Sequence, residues 1–476
     1  MIYCRPVKII VLCCFSYIIA LHAENDISQE INAVMQMREF SAEQVTQFGK
    51  TPVLSRDGRL EPMNTFSSEA LRKLHHAKKI YGHNSDRFLL SLRHKPELWM
   101  DMKFIYLSNR KIALKYNLSN GYCSYNELFD SNGNYKLQKD LEAIYIMSPS
   151  KRSRLDKDLI KLDEQINVFY QLINHEIPEI YSEKNGLTVY DQKINIELLY
   201  NRLDIFSQCK KIYLISGGLL LVLSFIAMFW EKKWIKRIMF LLAMTISVGL
   251  LYHLSGIIMR WYIAGYAPFS NSYETMIHIS FIAALAGIIF IRKSMITFAL
   301  ATLLSGIILF VSGLNWMDPQ IGLLVPVLKS PWLMIHVAVI VAAYSFFGIS
   351  FFLGINNLVL LLINKGKKMT TIALRIRELS IINEISLWAG LALMTAGTFI
   401  GAVWANETWG RYWGWDPKES WALITIVVYA IATHLRLIKK GDNPYLLNLM
   451  SVIAFLSVLM TYFGVNYLLN GMHSYG

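Results

Sequence analysis

Long apolar runs follow one another from residue 211 to residue 469, separated by short polar connectors. A helix of about 20 residues crosses the hydrocarbon core of a bilayer, and each run is long enough to do so. The pattern therefore predicts an all-α polytopic membrane protein with about eight transmembrane helices. The fifth run exceeds one span, so it either extends beyond the bilayer or breaks near Gly354. The runs lie at about 211–230, 237–259, 272–291, 295–313, 331–363, 381–403, 418–437 and 445–469.

The first 23 residues have the layout of a targeting segment. Arg5 and Lys8 precede an apolar run, Ile9–Leu21, which is followed by the small residue Ala23. This order is that of a secretory signal peptide or of a short uncleaved anchor. Either one predicts that the chain after it is exported.

Residues 24–209 are polar and mixed in composition. Apolar residues recur at helical spacing at 154–173, and a second helix is expected after an extended piece around Pro62, with Asn64 or Thr65 as its N-cap. An exported, mainly helical soluble domain is thus expected to precede the membrane unit. The predicted organisation is a signal peptide or short anchor at 1–23, an exported domain at 24–209 and a transmembrane domain at 210–476.

Basic residues alternate strictly among the connectors between the apolar runs. Four connectors are rich in Lys and Arg, and the alternate ones hold far fewer of them and more Trp, Tyr and Pro. Basic connectors face the cytoplasm by the positive-inside rule, so both ends of the eight-helix unit are expected outside, together with the exported domain. The basic connectors are 231–237, 292–294, 364–379 and 436–441, and the others are 260–271, 314–330, 404–417 and 470–476.

The composition agrees with a membrane protein rather than with a nucleic-acid-binding protein. The chain is 54% hydrophobic and 17% charged, and its formal net charge is +13. In a membrane protein such an excess reflects cytoplasmic loops and lipid headgroups. The five cysteines form no C-x-x-C pair, which argues against a thiol oxidoreductase or a zinc knuckle.

The connector before the seventh run is rich in tryptophan. The segment 409–421 reads "WGRYWGWDPKESW", and Trp404 lies just before it. Interfacial aromatic belts place one or two Trp at each of many helix ends. Here several Trp are interleaved with Gly410 and Gly414. This favours a flat binding surface over a belt, because glycine lets the backbone approach a planar ligand and indoles stack on it.

Five of the eleven histidines lie in the membrane unit, where ionisable side chains are functional candidates. His336 lies one turn into the helix after an outer connector, and His473 follows the last helix, so both can approach the tryptophan-rich connector. His434 lies toward the cytoplasmic end of the helix after that connector. His253 lies in the outer half of its helix, and a packed, hydrogen-bonded role is expected for His278.

Two histidines that flank an aromatic surface indicate a planar metal cofactor with two axial imidazoles. Haem fits that description. Zinc fits poorly, because no Cys, Asp or Glu clusters with these histidines in the sequence.

These residues resemble a known family. "WGRYWGWD" resembles the W-G-x-x-W-x-W-D signature of the haem-handling WWD superfamily of cytochrome c biogenesis. "SPWLMIHVAVIVAAYSFF", "AIATHLRL" and "GVNYLLNGMHSYG" resemble the three histidine segments of the CcsA (ResC) proteins of the system II pathway, and "RWYIAGYAPFSNSYE" resembles their first outer loop. The resemblance covers about residues 240–476, and the spacing of the histidine segments favours CcsA over the haem exporter CcmC or the larger CcmF.

The resemblance implies two haem sites. His336 and His473 would be the axial ligands of the haem iron at an outer site, and His434 would be one ligand at an inner site within the membrane. His253 matches no motif residue and is kept as an auxiliary candidate. The aromatic platform of the outer site would be formed by Trp409, Gly410, Trp413, Trp415 and Asp416.

Charged residues near the platform have two possible roles. Haem propionates are anionic, so Arg411, Lys418 or Arg260 could pair with them, and each could equally anchor to lipid headgroups. Asp416 can cap the following helix, whose Pro417 suits the first helical position, and capping is compatible with a haem role.

The resemblance further implies the activity of a holocytochrome c synthase, or haem lyase. Haem b would be conveyed across the bacterial inner membrane and joined by thioethers to an apocytochrome c that carries a C-x-x-C-H segment. A CcsB (ResB)-type membrane protein, expected as a separate chain, would supply the second ligand of the inner site, and a thiol reductant pathway would keep the substrate cysteines reduced. The exported domain, the tryptophan-rich connector and the C-terminus would lie on the periplasmic side, and no nucleic acid partner is expected.

Other functions fit the same residues. A haem exporter or chaperone would use the same histidines as a conduit without forming thioethers. A non-haem permease would use them to relay protons. A structural assembly factor would act through the exported domain instead.

Overall fold

The computed structural model describes residues 30–469 except 31, 56, 149–150, 182–186, 231, 315–316, 325, 368 and 436–442. The chain divides into two compact units, Met1–Asn201 and Arg202–Gly476. The segment predicted as a signal peptide or anchor, 1–23, and the proposed ligand His473 lie outside the described residues.

The first unit is mainly helical, with a few short strands. Strands β2, β1 and β5 form one antiparallel sheet in that order, and β3 pairs with β4. Its elements are α1 (Ala42–Lys50), β1 (Pro52–Leu54), β2 (Leu60–Pro62), α2 (Met63–His75), α3 (Ser85–His94), α4 (Pro96–Asp101), β3 (Ile105–Tyr106), α5 (Arg110–Tyr116), β4 (Tyr122–Cys123), α6 (Gln138–Ile146), α7 (Arg154–Ile173), β5 (Glu179–Ile180) and α8 (Leu187–Leu203).

The predicted helix at 154–173 is confirmed as α7. It begins at a capping box, in which the side chains of Ser153 and Asp156 each bond to the other residue's backbone N–H. Its buried face includes Phe169, whose ring lies 5.6 Å from that of Phe104, centroid to centroid, in the core of the unit. Local capping and one apolar stripe together account for this element.

The predicted N-cap of the helix after Pro62 is wrong. Strand β2 runs directly into α2, so Asn64 and Thr65 lie inside the first turn of that helix. Their side chains bond to α8 instead: Thr65 Oγ1 donates to Glu197 Oε1 at 2.8 Å, and Asn201 Nδ2 donates to Asn64 Oδ1 at 3.1 Å. These polar side chains join the start of α2 to α8.

A buried ion network extends that junction into the sheet. Arg59 bonds Glu197 through both terminal nitrogens, at 2.8 and 3.0 Å, and one of these nitrogens also bonds Glu61. All three side chains are buried, so one guanidinium is shared between two carboxyl groups. Burial of the carboxyl raises the pKa of Glu61 from 4.5 to about 7. The positive charge of Arg59 opposes this rise, and the negative charge of Glu197 adds to it.

The first unit is therefore expected to become less stable as the pH rises from about 4.5 toward 7. The folded chain keeps a proton on Glu61 that the unfolded chain releases above pH 4.5, so the stabilisation is complete below 4.5 and is lost through 7. The change is on the order of a few kcal/mol. The change in stability is measured by amide hydrogen exchange of β1, β2 and α8 in the full chain, with the rates corrected for intrinsic exchange. Glu61→Gln should flatten the pH profile, whereas Glu179→Gln on the exposed strand β5 should leave it unchanged; an unaltered profile in Glu61→Gln would contradict the assignment.

The second unit consists of long apolar helices. They are α9 (Ile205–Phe229), α10 (Lys233–Ala264), α11 (Ser272–Phe290), α12 (Met295–Ser312), α13 (Pro331–Lys367), α14 (Thr370–Trp409), α15 (Pro417–His434), α16 (Pro444–Leu459) and the short α17 (Val465–Leu468), with a π-helical turn at Met460–Gly464 between the last two.

Seven helices of the described residues are long and apolar enough to cross a membrane, which confirms the polytopic helical fold. The predicted span at 418–437 is not among these seven; it corresponds to α15, which has 18 residues and carries Lys418 and Glu419 in its first turn. At 1.5 Å per residue its length is about 27 Å, close to the thickness of the hydrocarbon core.

Helix α13 does not break at Gly354. It continues for 37 residues, and the glycine instead permits a close approach of α16. A Cβ atom at Gly354 would lie 2.3 Å from Ser451 Oγ and 2.8 Å from the carbonyl oxygen of Asn448. Close approach through small residues is the usual way in which membrane helices pack.

A polar cluster holds α13, α14 and α16 together at the end of the unit opposite to the tryptophan-rich segment. Asn357 and Asn383 both donate to Asn448 Oδ1, at 2.9 and 2.8 Å, and all three residues are fully buried. Hydrogen bonds between buried amides are favourable in a membrane interior, where water is absent. The cluster thus fixes the helices that carry the candidate site.

Candidate functional site

The tryptophan loop, Gly410–Asp416, connects α14 to α15. Gly410 has φ +68°, and its N–H donates to the carbonyl oxygen of Asn406 at 2.9 Å, so glycine ends α14 in the left-handed conformation that it favours. The loop is therefore a tight reversal between two membrane helices. The end of the second unit that carries it is called the loop end below.

The indoles of the loop are largely exposed. Trp409 and Trp415 expose 41% and 72% of their surfaces, and Tyr412 exposes 60%. The rings of Trp413 and Trp415 meet edge to face, with centroids 5.9 Å apart and an angle of 88°. Trp404, in contrast, is 2% exposed and packs inside the bundle. The loop thus presents aromatic surface at the loop end, and Trp404 does not take part in it.

Asp416 is the N-cap of α15. Its Oδ1 accepts the N–H of Lys418 at 2.8 Å, while Glu419 Oε2 accepts the N–H groups of Gly414 and Asp416 at 2.7 and 3.2 Å. Asp416 is buried, so its carboxylate is used to hold the loop. The capping role considered for this residue is confirmed.

Arg411 folds back over the loop. A Cβ atom at Gly414 would lie 2.9 Å from Cζ of Arg411, so glycine gives the guanidinium its place there. The side chain of Arg411 is exposed, which leaves a cation beside the indoles.

Arg260 has a structural role instead of the propionate contact considered from the sequence. Its Nε donates to Glu274 Oε1 at 2.8 Å, and its terminal nitrogens donate to the carbonyl oxygens of Pro319 and Gln320 at 2.9 and 3.1 Å. The side chain is 2% exposed, and it joins the first turn of α11 to the connector that contains Pro319 and Gln320. Arg411 remains the exposed cation of the site.

His336 lies in α13 and packs on α14. Its Nδ1 lies 2.7 Å from the carbonyl oxygen of Gly397, and a Cβ atom at Gly401 would lie 2.6 Å from its Cε1. A carbonyl oxygen can only accept, so Nδ1 carries the proton of the neutral ring and Nε2 carries the lone pair that binds metals. Gly401 precedes Trp409 by eight residues, which places this imidazole about 12 Å along α14 from the loop.

His434 lies at the end of α15 that is farther from the tryptophan loop. Its Nδ1 lies 2.8 Å from the carbonyl oxygen of Ala430, which again leaves the lone pair on Nε2. The side chain is exposed on the surface of the bundle, and the ring of Trp388 lies 5.5 Å away, centroid to centroid. Eighteen residues separate His434 from Asp416, so the two candidate sites are about 27 Å apart along α15.

His253 and His278 are packed away from the loop. His253 is fully buried, with its Nδ1 3.3 Å from Tyr213 Oη and the rings of Phe206 and Phe281 around it. His278 bonds the carbonyl oxygen of its own helix at Glu274 at 2.8 Å and lies against Phe269. The packing of His278 is as expected, whereas only the Nδ1 of His253 has a hydrogen-bond partner among the described residues and its buried Nε2 has none.

Within the described part of the chain, no group of three or more His, Cys, Asp or Glu side chains is arranged to hold a metal ion. A haem does not require such a group, because the porphyrin supplies four nitrogen ligands and leaves two axial positions. An imidazole whose Nδ1 is bonded and whose Nε2 carries the lone pair is the protein contribution expected for each axial position. His336 and His434 both have that geometry.

Two further elements at the candidate sites were not predicted. Trp388 lies against His434, although it is 46 residues earlier in the chain. The π-helical turn at Met460–Gly464 interrupts a run that reads as one uniform span. Neither the contact between Trp388 and His434 nor the π-helical turn can be predicted from local composition, because both depend on neighbouring helices.

The chain is similar to known proteins of cytochrome c assembly. The family model described as "Cytochrome C assembly protein" matches residues 269–473. The chain is 36% identical to the cytochrome c biogenesis protein CcsA of Guillardia theta, over 46% of this chain and 79% of that protein. It is 33% identical to the CcsA of Cyanophora paradoxa, over 54% of this chain and 93% of that one.

A longer relative and one solved structure are also similar to the chain. Protein NrfI of Wolinella succinogenes is 33% identical over 96% of this chain, which spans 57% of the length of NrfI. The solved structure of the cytochrome c haem lyase CcmF matches with a TM-score of 0.41 and 15% identity, over 54% of this chain and 46% of that one. The resemblance in sequence extends over most of the length of the CcsA proteins, and the chain belongs to the CcsA family of cytochrome c assembly proteins.

Proposed function

We propose that this protein binds haem b, conveys it across the bacterial inner membrane and presents it for thioether attachment to an apocytochrome c. The observation that carries the proposal is the pairing of exposed indoles in the tryptophan loop with His336, whose Nε2 lone pair is set by Gly397. His473 is proposed as the second axial ligand of this outer site. The exported domain, the loop and the C-terminus are proposed to face the periplasm, with the domain boundary at 209/210.

At the outer site the proposed chemistry needs orientation more than acid or base. Each substrate cysteine adds S–H across one haem vinyl group, so no leaving group forms. His336 would hold the iron and exclude other ligands, while Trp413 and Trp415 would fix the plane of the ring. The exposed guanidinium of Arg411 suits a propionate. Asp416 and Gly410 would shape the platform rather than touch the iron.

His434 is proposed as one ligand of an inner haem. Its ring lies on the exposed surface of the bundle. Of the other histidines in the described membrane helices, His253 and His278 are packed inside the bundle, and His336 is assigned to the outer site. A second axial ligand for His434 is therefore proposed to come from a CcsB-type membrane partner. A thiol reductant pathway would keep the substrate cysteines reduced.

Coexpression tests the function directly. The chain, a CcsB-type protein and an apocytochrome c with a C-x-x-C-H segment are produced together, and covalent haem that survives denaturation is scored. We expect covalent haem with the wild-type chain and its loss when both substrate cysteines are replaced by alanine. In His434→Ala, haem at the outer site should fall together with product, since supply from the inner site is interrupted.

The same experiment separates the alternatives. Bound haem without covalent product would favour an exporter or chaperone. A colourless complex would favour a non-haem permease. Full maturation after deletion of the exported domain would exclude an assembly factor that acts only through it.

A further inference from the structure

The last long helix of the chain contains one widened turn. The N–H of Val465 donates to the carbonyl oxygen of Met460, five residues back, and the π-helical turn spans Met460–Gly464. Single π turns within α-helices are found frequently at functional sites. A Cβ atom at Gly464 would lie 2.1 Å from the sulfur of Met460, so a larger residue there would displace the Met460 side chain.

Thr461 bonds the π turn to α15. Its Oγ1 lies 3.2 Å from the carbonyl oxygen of Trp421, 2.9 Å from Thr425 Oγ1 and 2.7 Å from the carbonyl oxygen of Ser457. Trp421 closes the tryptophan-rich segment, one turn after the cap at Asp416. The π turn therefore lies at the loop end and holds the start of the helix that the loop enters.

Tyr462, the next residue, bonds the π turn to α11. Its Oη donates to the carbonyl oxygen of Ser272 at 2.9 Å and lies 2.6 Å from Thr275 Oγ1. Ser272 is the first residue of α11, whose first turn also bonds Arg260 through Glu274. Two consecutive side chains thus reach the starts of two different helices at the loop end.

The widened turn also sets the rotation of the chain that follows it. An α-helix turns about 100° per residue, so removing the one extra residue would rotate every later side chain by about that angle. The segment that leads to His473 follows directly. Asn466 supports the turn, since its Nδ2 donates to the carbonyl oxygen of Tyr462 at 2.7 Å.

We propose that Thr461 and Tyr462 are positioning residues of the outer haem site. The π turn fixes the starts of α11 and α15 relative to each other and sets the rotation of the helical residues that directly follow it. Neither residue is assigned a contact with haem, so they act through the groups that they hold. This inference rests on the proposed function, because the site that they position is the proposed outer haem site.

Three variants and one matched control test the proposal. Thr461→Val removes the hydroxyl at nearly constant volume, Thr461→Ser keeps it, and Tyr462→Phe removes only the phenol oxygen. The control is Thr395→Val, because the hydroxyl of Thr395 donates to Leu391 within its own helix at 2.8 Å. Each variant is purified with its CcsB-type partner, and the absorption spectrum and reduction potential of the bound haem are recorded.

Thr461→Val and Tyr462→Phe are expected to lower the occupancy of low-spin, bis-imidazole haem by roughly tenfold, as for other residues that orient a metal ligand. Added imidazole should restore the low-spin bands, since a misplaced ligand can be replaced by a free one. Thr461→Ser and Thr395→Val should retain the wild-type spectrum and potential. Wild-type spectra in both Thr461→Val and Tyr462→Phe would overturn the proposal, as would a loss that imidazole does not restore.

A second measurement does not depend on haem. Spin labels are placed at the exposed positions Tyr262 and Tyr412 in a chain whose cysteines are replaced by alanine, and the distance distribution between them is measured by double electron–electron resonance. The distribution should broaden in Thr461→Val and Tyr462→Phe and stay narrow in Thr395→Val. Unchanged distributions would overturn the positioning role. A colourless wild-type protein with the expected broadening would instead refute the proposed function and leave the positioning role standing.

Discussion

His336→Ala is expected to abolish the bis-imidazole spectrum of the outer haem and to lower covalent cytochrome c formation by at least about 100-fold. The substitution removes the imidazole whose Nδ1 is held by Gly397 and whose Nε2 carries the lone pair for iron. It leaves a ring-sized gap against Gly401, so free imidazole should enter and restore the low-spin bands. The absorption spectrum of the reduced complex, with and without imidazole, is the measurement.

A matched control separates ligation from folding. His278→Ala also deletes a buried imidazole from the membrane unit, but that ring bonds the Glu274 carbonyl oxygen in its own helix. Its spectrum should match that of the wild-type chain. Identical bands in His336→Ala and the wild-type chain would refute the assignment of His336 as an axial ligand.

Replacing Trp413 and Trp415 together by alanine is expected to lower haem occupancy by roughly 10- to 100-fold, since each aromatic contact contributes about 0.5–1.5 kcal/mol beyond its buried area. The two rings form one edge-to-face pair at the loop end, and Trp415 is the most exposed indole of the loop. Haem content per protein after purification with the partner is the measurement.

The control for this pair is Trp234→Ala. Trp234 is an indole with 54% exposure in the first turn of α10, where an interfacial aromatic belt is expected. Trp234→Ala should leave haem content unchanged, and any effect should be limited to membrane integration or stability. Normal haem content and normal maturation in the Trp413/Trp415 variant would reduce the loop to such a belt.

The apolar runs predicted the membrane helices well, because the thickness of a bilayer sets a minimum length of apolar sequence for a span. The cap at Asp416 was also accessible, since Pro417 and Glu419 complete a local signature. Both features depend on residues that are neighbours in sequence. Helix ends and capping boxes are for that reason the part of the candidate site that the sequence specifies locally.

Other features depend on contacts between distant segments. Arg260 is a plausible propionate partner until Glu274 and the carbonyl oxygen of Pro319 are found to bind it. The sheets of the first unit are built from strands of two or three residues, too short to show a periodic pattern. The tautomer of His336 is likewise set by Gly397, 61 residues away. No local pattern reveals any of these partners.

Trp415 has a left-handed backbone, with φ +55°, a conformation that costs a non-glycine residue about 1–2 kcal/mol. Glycine or asparagine would relax that position, yet neither has an indole to present. Trp415→Gly should therefore raise the resistance of the loop to unfolding while it lowers haem content. In the proposed haem site, Trp415 would exchange some backbone stability for an exposed indole, which is a trade-off between stability and activity.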